Sequence, residues 1–368
     1  MKILITGGAG FIGSHTADAL IADGHSVRVL DNLAEPVHRN GAPSYLSEGA
    51  ELVVGDVRNR NDWERVLNGV DVVYHLAAYQ DYLTDFSKFF HVNTVGTSLL
   101  YEVAVEKNLP LKKVIVASSQ AAYGEGRYVD ASGVAHYPTI RGRGPLEAGC
   151  WDLTAEGRPL TPQWTDESVV NPQNQYAVSK YTQELVALSL GRRYDIPTVC
   201  MRYSIVQGPR QSLYNAYSGA CRIFSLSCFF DKQPIVYEDG LQIRDFVNIE
   251  DVVQANLLVM RDHRADYQVF NVGGGRPYTV LEFAEQASQV YGRKFKPTVV
   301  GEFRFGDTRH IMSDISKLKG LGWEPKRDAR YSLECYKAWL AKQQASPEIV
   351  EYAYKKMRET NVVGTVRK

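Results

Sequence analysis

The sequence predicts an α/β fold, a doubly wound parallel sheet followed by a smaller α/β domain, and three observations predict it. The apolar run Ile3-Leu4-Ile5 passes directly into Thr6-Gly7-Gly8-Ala9-Gly10-Phe11-Ile12-Gly13, and from there into a helical pattern. Short apolar runs ending in small or polar residues recur down the chain, separated by helix-length segments. At 368 residues with 44% hydrophobic and 23% charged content, the chain can bury a full core and has room for two domains or one large α/β unit.

The first strand and turn carry the most specific signal. Glycines at 7, 10 and 13 allow a tight bend, a backbone without Cβ atoms in the way, and helix N–H groups aimed at an anion, which is what a dinucleotide pyrophosphate needs. The spacing is Gly-x-x-Gly-x-x-Gly, so an empty strand-to-helix turn is the competing reading until later residues are weighed. Phe11, Ile12, Ala17, Leu20 and Ile21 recur at helical spacing up to Asp23-Gly24. Val27-Arg28-Val29-Leu30 then runs into Asp31 and Asn32. A carboxylate about 20 residues past the glycines accepts the ribose hydroxyls of adenosine and repels a 2′-phosphate, which favours NAD over NADP.

Leu52-Val53-Val54 leads to Asp56-Val57, and Val70-Asp71-Val72-Val73-Tyr74-His75 leads to Leu76-Ala77-Ala78. Ligands of an open parallel sheet sit at the carboxyl ends of its strands, which places Asp56 within reach of an adenine and lets a cofactor pass close to Ala77 and Ala78. His75 reads as a packed strand-end histidine. Ser87 to Lys107 reads as one long helix, and Val114-Ile115-Val116-Ala117 as the next strand, ending at Ser118-Ser119-Gln120-Ala121-Ala122-Tyr123-Gly124. Hydroxyls there face a cofactor and suit a substrate oxygen, although a Ser-Ser pair also makes a plain turn.

From Glu125 to Val170 the rhythm breaks into a stretch rich in glycine, proline and arginine. It reads as an insertion: a lid, an oligomer contact or a small subdomain. Asn171-Pro172 then predicts a helix start, with Asn as the cap, and the helix carries Tyr176-Ala177-Val178-Ser179-Lys180. Tyrosine and lysine four apart share a helix face. An ammonium beside the phenol lowers its pKa toward that of a working acid/base. An isolated pair of this kind is usually a solvated face; following a dinucleotide half-fold and a Ser-Ser strand end, it reads as catalytic.

Charge and composition narrow the classes. Lys plus Arg and Asp plus Glu number 42 each, so no global field recruits nucleic acid or an anionic membrane. Cys150, Cys200, Cys221, Cys228 and Cys335 lack paired spacing, which reads as buried thiols, no metal site and a reducing cytoplasm. No charged leader with an apolar segment opens the chain and no run is long enough to span a bilayer.

Taken together these residues resemble the extended short-chain dehydrogenase/reductase family, in particular its NAD-dependent nucleotide-sugar epimerases and dehydratases. The resemblance covers nearly everything outside the insertion. It rests on Thr6 to Gly13, Asp31, Asp56-Val57, Leu76-Ala77-Ala78, Asn93, Ser118 to Gly124, Tyr176 with Lys180, Arg202-Tyr203 with Gly208-Pro209-Arg210-Gln211, Arg244-Asp245-Phe246-Val247 and Phe270-Asn271-Val272-Gly273. It implies a Rossmann-type NAD domain over residues 1–208, with the insertion at about 125–170, and a mainly sugar-nucleotide domain over 209–368, of which 244–275 returns to the first. It also implies that Tyr176 moves the proton of a sugar hydroxyl, that Lys180 binds the nicotinamide ribose, that Ser119 orients the sugar oxygen, and that Asn93 and Tyr203 belong to the cofactor site. Tyr237 is expected to stack on the base, Arg244 to clamp the diphosphate, and Arg304, Asp307 and Arg309 to hold phosphate and ribose. A homodimer built on the helices of Ser87–Lys107 and Tyr176–Tyr194 is expected as well.

Departures from the family pattern select among its reactions. Dehydratases resembling this chain carry an acidic pair, and decarboxylases a glutamate, where Gln120-Ala121 stands here. Epimerisation, most plausibly at C4, leads; a nucleotide-sugar dehydrogenase or ketoreductase with net NAD(H) turnover is the alternative, and a non-catalytic binding module the third reading. Epimerases of dTDP-L-rhamnose and related sugars carry a similar insertion, often with two Cys-x-x-Cys knuckles. The counterparts here are Val129/Ser132 and Leu153/Glu156, so a zinc ribbon would lack its thiolates. Gln80, Asp81 and Tyr82 form an unusual polar loop where the sugar is expected, the stretch Ser212 to Phe230 with Tyr214, Asn215 and Tyr217 is expected to be helical beside the nucleotide, and the tail from Ser346 reads as a surface helix with no catalytic part.

Overall fold

The computed structural model describes the chain apart from residues 82, 216–218, 295, 360, 361 and 368. Its centre is a seven-stranded parallel sheet. The strands are β1 (Lys2–Thr6), β2 (Ser26–Asp31), β3 (Ala50–Val54), β4 (Val72–His75), β5 (Lys113–Ser119), β6 (Thr198–Tyr203) and β7 (Gln268–Val272), in the spatial order 7-6-5-4-1-2-3. The order reverses beside β1, which opens a crevice at the carboxyl ends of β1 and β4.

Both faces of the sheet are covered, which is why its strands are continuous apolar runs without polar alternation. Ile3 and Ile5 point into one core with Val29, Tyr74, Val199 and Met201. Leu4 points into the other with Trp63, Val73, Val114 and Val116. Helices α1 (Phe11–Ala22) and α7 (Ile249–Arg261) cover the first face, and α2 (Arg60–Leu67), α4 (Gly96–Glu106) and α5 (Gln175–Arg193) the second. The stretch read as one long helix comprises α3 (Phe86–Phe89), a π-helical turn Phe90–Val95 and α4.

A third core lies beyond the sheet, where α6 (Ala220–Phe229), α8 (Val280–Val290) and α9 (Ala329–Leu340) pack Phe224, Phe283, Leu333 and Tyr336 around Phe246. Strand β7 and α7 lie between pieces of this unit in sequence and belong to the sheet and its first core in space. The glycines of the Phe270-to-Gly273 motif and of Gly274 explain that crossing. A Cβ on Gly273 would meet Asp245 Oδ2 at 2.1 Å, and one on Gly274 would meet the Phe246 carbonyl at 1.9 Å.

The insertion is folded. Tyr128–Val129 pairs with Ala135–His136 and Thr161–Pro162, and Thr154–Ala155 pairs with Arg158–Pro159. Its two knuckle positions are tight turns, with Asp130 accepting from Ser132 N and Val134 N in one and Glu156 and Gly157 at positive φ in the other.

Two expected boundaries move. The catalytic helix starts three residues later than Asn171-Pro172 predicts, because Asn174 is the cap and its side chain accepts from Ala177 N at 2.9 Å; Asn171 instead donates to the Pro138 carbonyl at 3.0 Å and anchors the insertion. The helix expected from Ser212 begins at Ala220, and Tyr217 lies outside the described residues. No helix among the described residues is long and apolar enough to cross a membrane.

Candidate active site

The main cavity, about 640 Å³, runs from the glycine turn across the carboxyl ends of the strands into the third core. Its first wall is the turn itself, with Gly7, Gly10, Phe11, Ile12 and Gly13 all exposed to it. Gly7 has φ +67°, and a Cβ there would meet Ala77 N at 2.8 Å. A Cβ on Gly13 would meet the Gly7 carbonyl at 2.3 Å. Gly10 caps α1 without a side-chain hydrogen bond, so the first N–H groups of that helix face the cavity as an anion site.

Asp31 ends β2 against the same cavity and is largely buried. Its oxygens accept from Ala9 N at 3.0 Å and Leu33 N at 2.9 Å, which fixes the carboxylate at the mouth of the turn. Asn32 and Asp56 follow on the wall, joined by a 3.0 Å hydrogen bond from Asn32 Nδ2. Burial would raise the Asp56 carboxyl, yet hydrogen bonds from Arg58 and Asn32 hold it at about 2. Val57, Leu76, Ala77 and Ala78 continue the lining.

The second wall carries the residues expected to be catalytic. Ser118, Ser119 and Gln120 come from the end of β5, and Tyr176 and Lys180 from one face of α5. Ser119 Oγ accepts from Ala121 N at 3.2 Å, a bond that leaves its own proton free to be donated elsewhere. Lys180 Nζ donates to the Ala117 carbonyl and to Gln183 Oε1. Burial pulls this amine down to about 7, against the opposing pull of Glu184. Beneath it Glu184 accepts two hydrogen bonds from Arg202, each 2.8 Å, and one from Ser118. This buried pair secures β5, β6 and α5 to one another, and neither its residues' spacing nor their type had marked it in sequence.

Tyr203 lines the cavity and donates to Asn256 Oδ1 at 2.6 Å. His75 is wholly buried between Thr6 Oγ1 and Thr97 Oγ1. Burial, and then the neighbouring Lys180, take its imidazole down to about 3, so it is a neutral packing group.

Asn93 is not among the residues of the cavity wall. It is fully buried in the π-helical turn. Its side chain accepts from Tyr79 N at 2.8 Å and donates to the Tyr79 carbonyl at 3.1 Å and to Ser179 Oγ at 2.9 Å. Ser179 Oγ in turn donates to the Tyr176 carbonyl at 2.8 Å. Asn93 therefore ties the 77–81 loop to the catalytic helix. Gln80 and Asp81 of that loop reach the cavity; Tyr82 lies outside the described residues.

The third wall comes from the smaller core and includes Asn215, Tyr237, Arg244, Arg304 and Asp307. Arg244, half-buried on this wall, donates to the Thr308 and Arg309 carbonyls at 2.9 and 3.1 Å, which holds its guanidinium in place. Arg304 lies 5.5 Å from the Tyr237 ring centroid and 2.5 Å from Asp307.

Arg309 is likewise absent from the wall. Its guanidinium is buried among Asp239, Glu238 and Asp152, at 2.7, 3.1 and 2.9 Å, a set of carboxylates that satisfies it without a ligand. Arg141 of the insertion joins the cluster through Glu238 at 2.7 Å and the Asp307 carbonyl at 2.9 Å. The insertion thereby buttresses the segment that presents Arg304 and Asp307.

Sequence reasoning missed His38, Tyr79, Tyr354 and Met357, all on the wall. The spacing Val350, Tyr354, Met357 was a helical stripe that could have revealed the last two.

The comparisons agree with this geometry. Residues 3–273 match the model of the NAD dependent epimerase/dehydratase family. A dTDP-L-rhamnose 4-epimerase of Burkholderia thailandensis is 36% identical over 349 residues, 93% of this chain and 95% of that protein. The solved UDP-glucose 4-epimerase of Thermotoga maritima, with UDP-glucose, superposes with a TM-score of 0.77 at 30% identity, covering 93% of this chain and 99% of that one. The Thermus thermophilus UDP-glucose 4-epimerase in complex with NAD gives 0.74 at 25% identity, with 93% and 99% covered. Sheet order, glycine turn, Tyr176–Lys180 helix and full-length match converge, and the chain belongs to the NAD-dependent epimerase/dehydratase family.

Proposed function

We propose that the protein is an NAD-dependent nucleotide-sugar 4-epimerase, an isomerase that inverts a sugar hydroxyl through a transient 4-keto sugar. The observation that carries the reading is the meeting, in one cavity, of the glycine turn with Asp31, the Ser119–Tyr176–Lys180 group and the Arg244, Arg304 and Asp307 wall. The Cβ-free cradle at Gly7 and Gly13, the open helix N-terminus and the carboxylate of Asp31 fit a dinucleotide with an unphosphorylated adenosine ribose. Bound NAD supplies a hydride acceptor and, in reduced form, the donor that returns the hydride.

Tyr176 takes the proton of the C4 hydroxyl as the hydride leaves and gives it back on return. Lys180 supports the phenolate from the next turn of the helix and binds the nicotinamide ribose. Ser119 donates to the sugar oxygen and holds it in line with Tyr176. Arg244 and Arg304 neutralise the diphosphate, and Asp307 accepts from the nucleotide ribose. With the nucleotide held there, the keto sugar turns to present its opposite face. Gln120 and Ala121 supply no acid beside Ser119, so neither elimination nor decarboxylation is assisted. Among the described residues the buried Gln120 Oε1 has no hydrogen-bond partner, which suits an acceptor for a sugar hydroxyl.

The reading includes a cytoplasmic homodimer. Five free thiols suit a reducing compartment. Val178 and Leu185 of α5, seven apart, and Val95 beside α4 are exposed apolar residues on adjacent helices, 36%, 51% and 44% accessible. The test is a panel of dTDP-, UDP- and GDP-sugars followed by NMR: the C4 epimer forms without added NAD, and NADH accumulating in step with product would transfer the protein to the dehydrogenases.

A further inference from the structure

The chain beyond Ser346 does not lie remote from the site. Helix α10 (Glu348–Glu359) buries Ile349 and Val350 in the third core, and Met357 is buried as well. Tyr354 and Met357, on the same face three residues apart, reach the main cavity. Strand β9 (Val363–Thr365) pairs antiparallel with β8 (Glu302–Arg304), opposing Val363 to Arg304 and Gly364 to Phe303.

Further bonds extend the pairing at both ends: Phe305 N donates to the Val362 carbonyl at 2.9 Å and Val366 N to the Gly301 carbonyl at 3.2 Å. The far end is fastened to the insertion, where Arg367 donates through its backbone N–H to the Glu147 carbonyl and pairs with the Glu147 carboxylate, both at 2.8 Å. Gly364 is required for the close approach, since a Cβ there would meet the Phe303 ring at 2.5 Å.

We propose that α10 and residues 362–367 form a strap that completes the nucleotide end of the substrate site, with Tyr354 and Met357 packing against the nucleobase beside Tyr237. The inference rests on the nucleotide-sugar reading. A sugar C4 at Tyr176 and Ser119 puts the diphosphate at Arg244 and Arg304, and the base then falls in the remaining end of the cavity. That end is apolar and aromatic on one side through Tyr237. Burial takes the Tyr237 phenol to about 12, with Arg304 and Tyr354 as charged or polar neighbours acting on it. Tyr354 and Met357 of α10 line the cavity with Tyr237, and tyrosine and methionine supply flat and polarisable surface. Because β9 is hydrogen-bonded to the strand that carries Arg304, seating the strap and placing the diphosphate contact are one event.

The experiment measures binding of UDP and TDP by calorimetry, without turnover, in the full chain and in two variants. Tyr354→Ala/Met357→Ala removes the packing surface, and Gly364→Val unseats β9. Both are expected to weaken nucleotide binding by about tenfold or more, as the loss of two buried apolar contacts implies, and to raise KM, while bound NAD stays as in the unaltered enzyme. Unchanged affinity in both variants overturns the proposal. Hydrogen exchange on the unaltered protein guards against variants that fail to fold: UDP or TDP is expected to protect amides 362–367, and equal exchange with and without nucleotide overturns the proposal as well. Nucleotide binding that depends on the strap, with no epimer formed, would reject the epimerase reading and leave the strap in place.

Discussion

Lys180 is the residue whose surroundings say most about the chemistry. Its amine is 1% exposed, and burial brings it to about 7, so the site can set its charge through what binds beside it. Tyr176, four residues earlier, has its backbone carbonyl held by Ser179 and through it by Asn93. Tyr176→Phe keeps that scaffold and removes only the transferable proton. Its kcat should fall by about 10²- to 10⁴-fold, with bound NAD unchanged on denaturation and assay; an active variant would remove tyrosine from the mechanism. Asp31 and the Tyr176–Lys180 spacing were legible because each is a short-range pattern tied to one strand end or one helix face. Arg309 was not, since an arginine in a phosphate-like motif looks the same whether it meets a diphosphate or, as here, Asp152, Glu238 and Asp239. Those partners are contributed by distant stretches, and only the fold brings them together.

At the level of elements, the glycine turn works by what it leaves out. Gly13 packs its Cα where a side chain would strike the Gly7 carbonyl at 2.3 Å and Gly8 Cα at 2.6 Å, contacts that are backbone and cannot swing aside. Gly13→Ala should push α1 away from β1, at a cost of about 1–3 kcal/mol from overpacking, and should empty the protein of NAD; denaturant midpoints and the absorbance of released cofactor report the two effects. The strands and α1 were readable from continuous apolar runs and helical spacing. The start of α5 was misjudged because Asn171-Pro172 has the composition of a cap, while Asn174, three residues on, makes the capping bond. The insertion was legible as a break in rhythm and nothing more. Its short strands carry too few residues for a periodic signal, and its buttressing role depends on Arg141 reaching Glu238 and Asp307 across the cavity rim.

For the whole molecule, three features meet: a doubly wound sheet, a third core that supplies the wall of Arg244 and Arg304, and a tail that returns to that wall. The return was hidden in sequence because the charged face of α10, with Lys355, Arg358 and Glu359, dominates its appearance, while Val350, Tyr354 and Met357 do the packing. The exposed stripe of Val178 and Leu185 on α5 is expected to be covered by a second copy. Leu185→Asp should shift the protein to monomer in sedimentation experiments, whereas a monomeric unaltered protein would contradict the dimer. The central claim is that the hydride removed from the sugar is the hydride returned. A nucleotide sugar carrying deuterium at C4, incubated with the enzyme in ordinary water without added NAD, tests it most directly. The account predicts that NMR and mass spectrometry find both C4 epimers with deuterium retained at C4; loss of the label to solvent, or its appearance in released reduced cofactor, would contradict it.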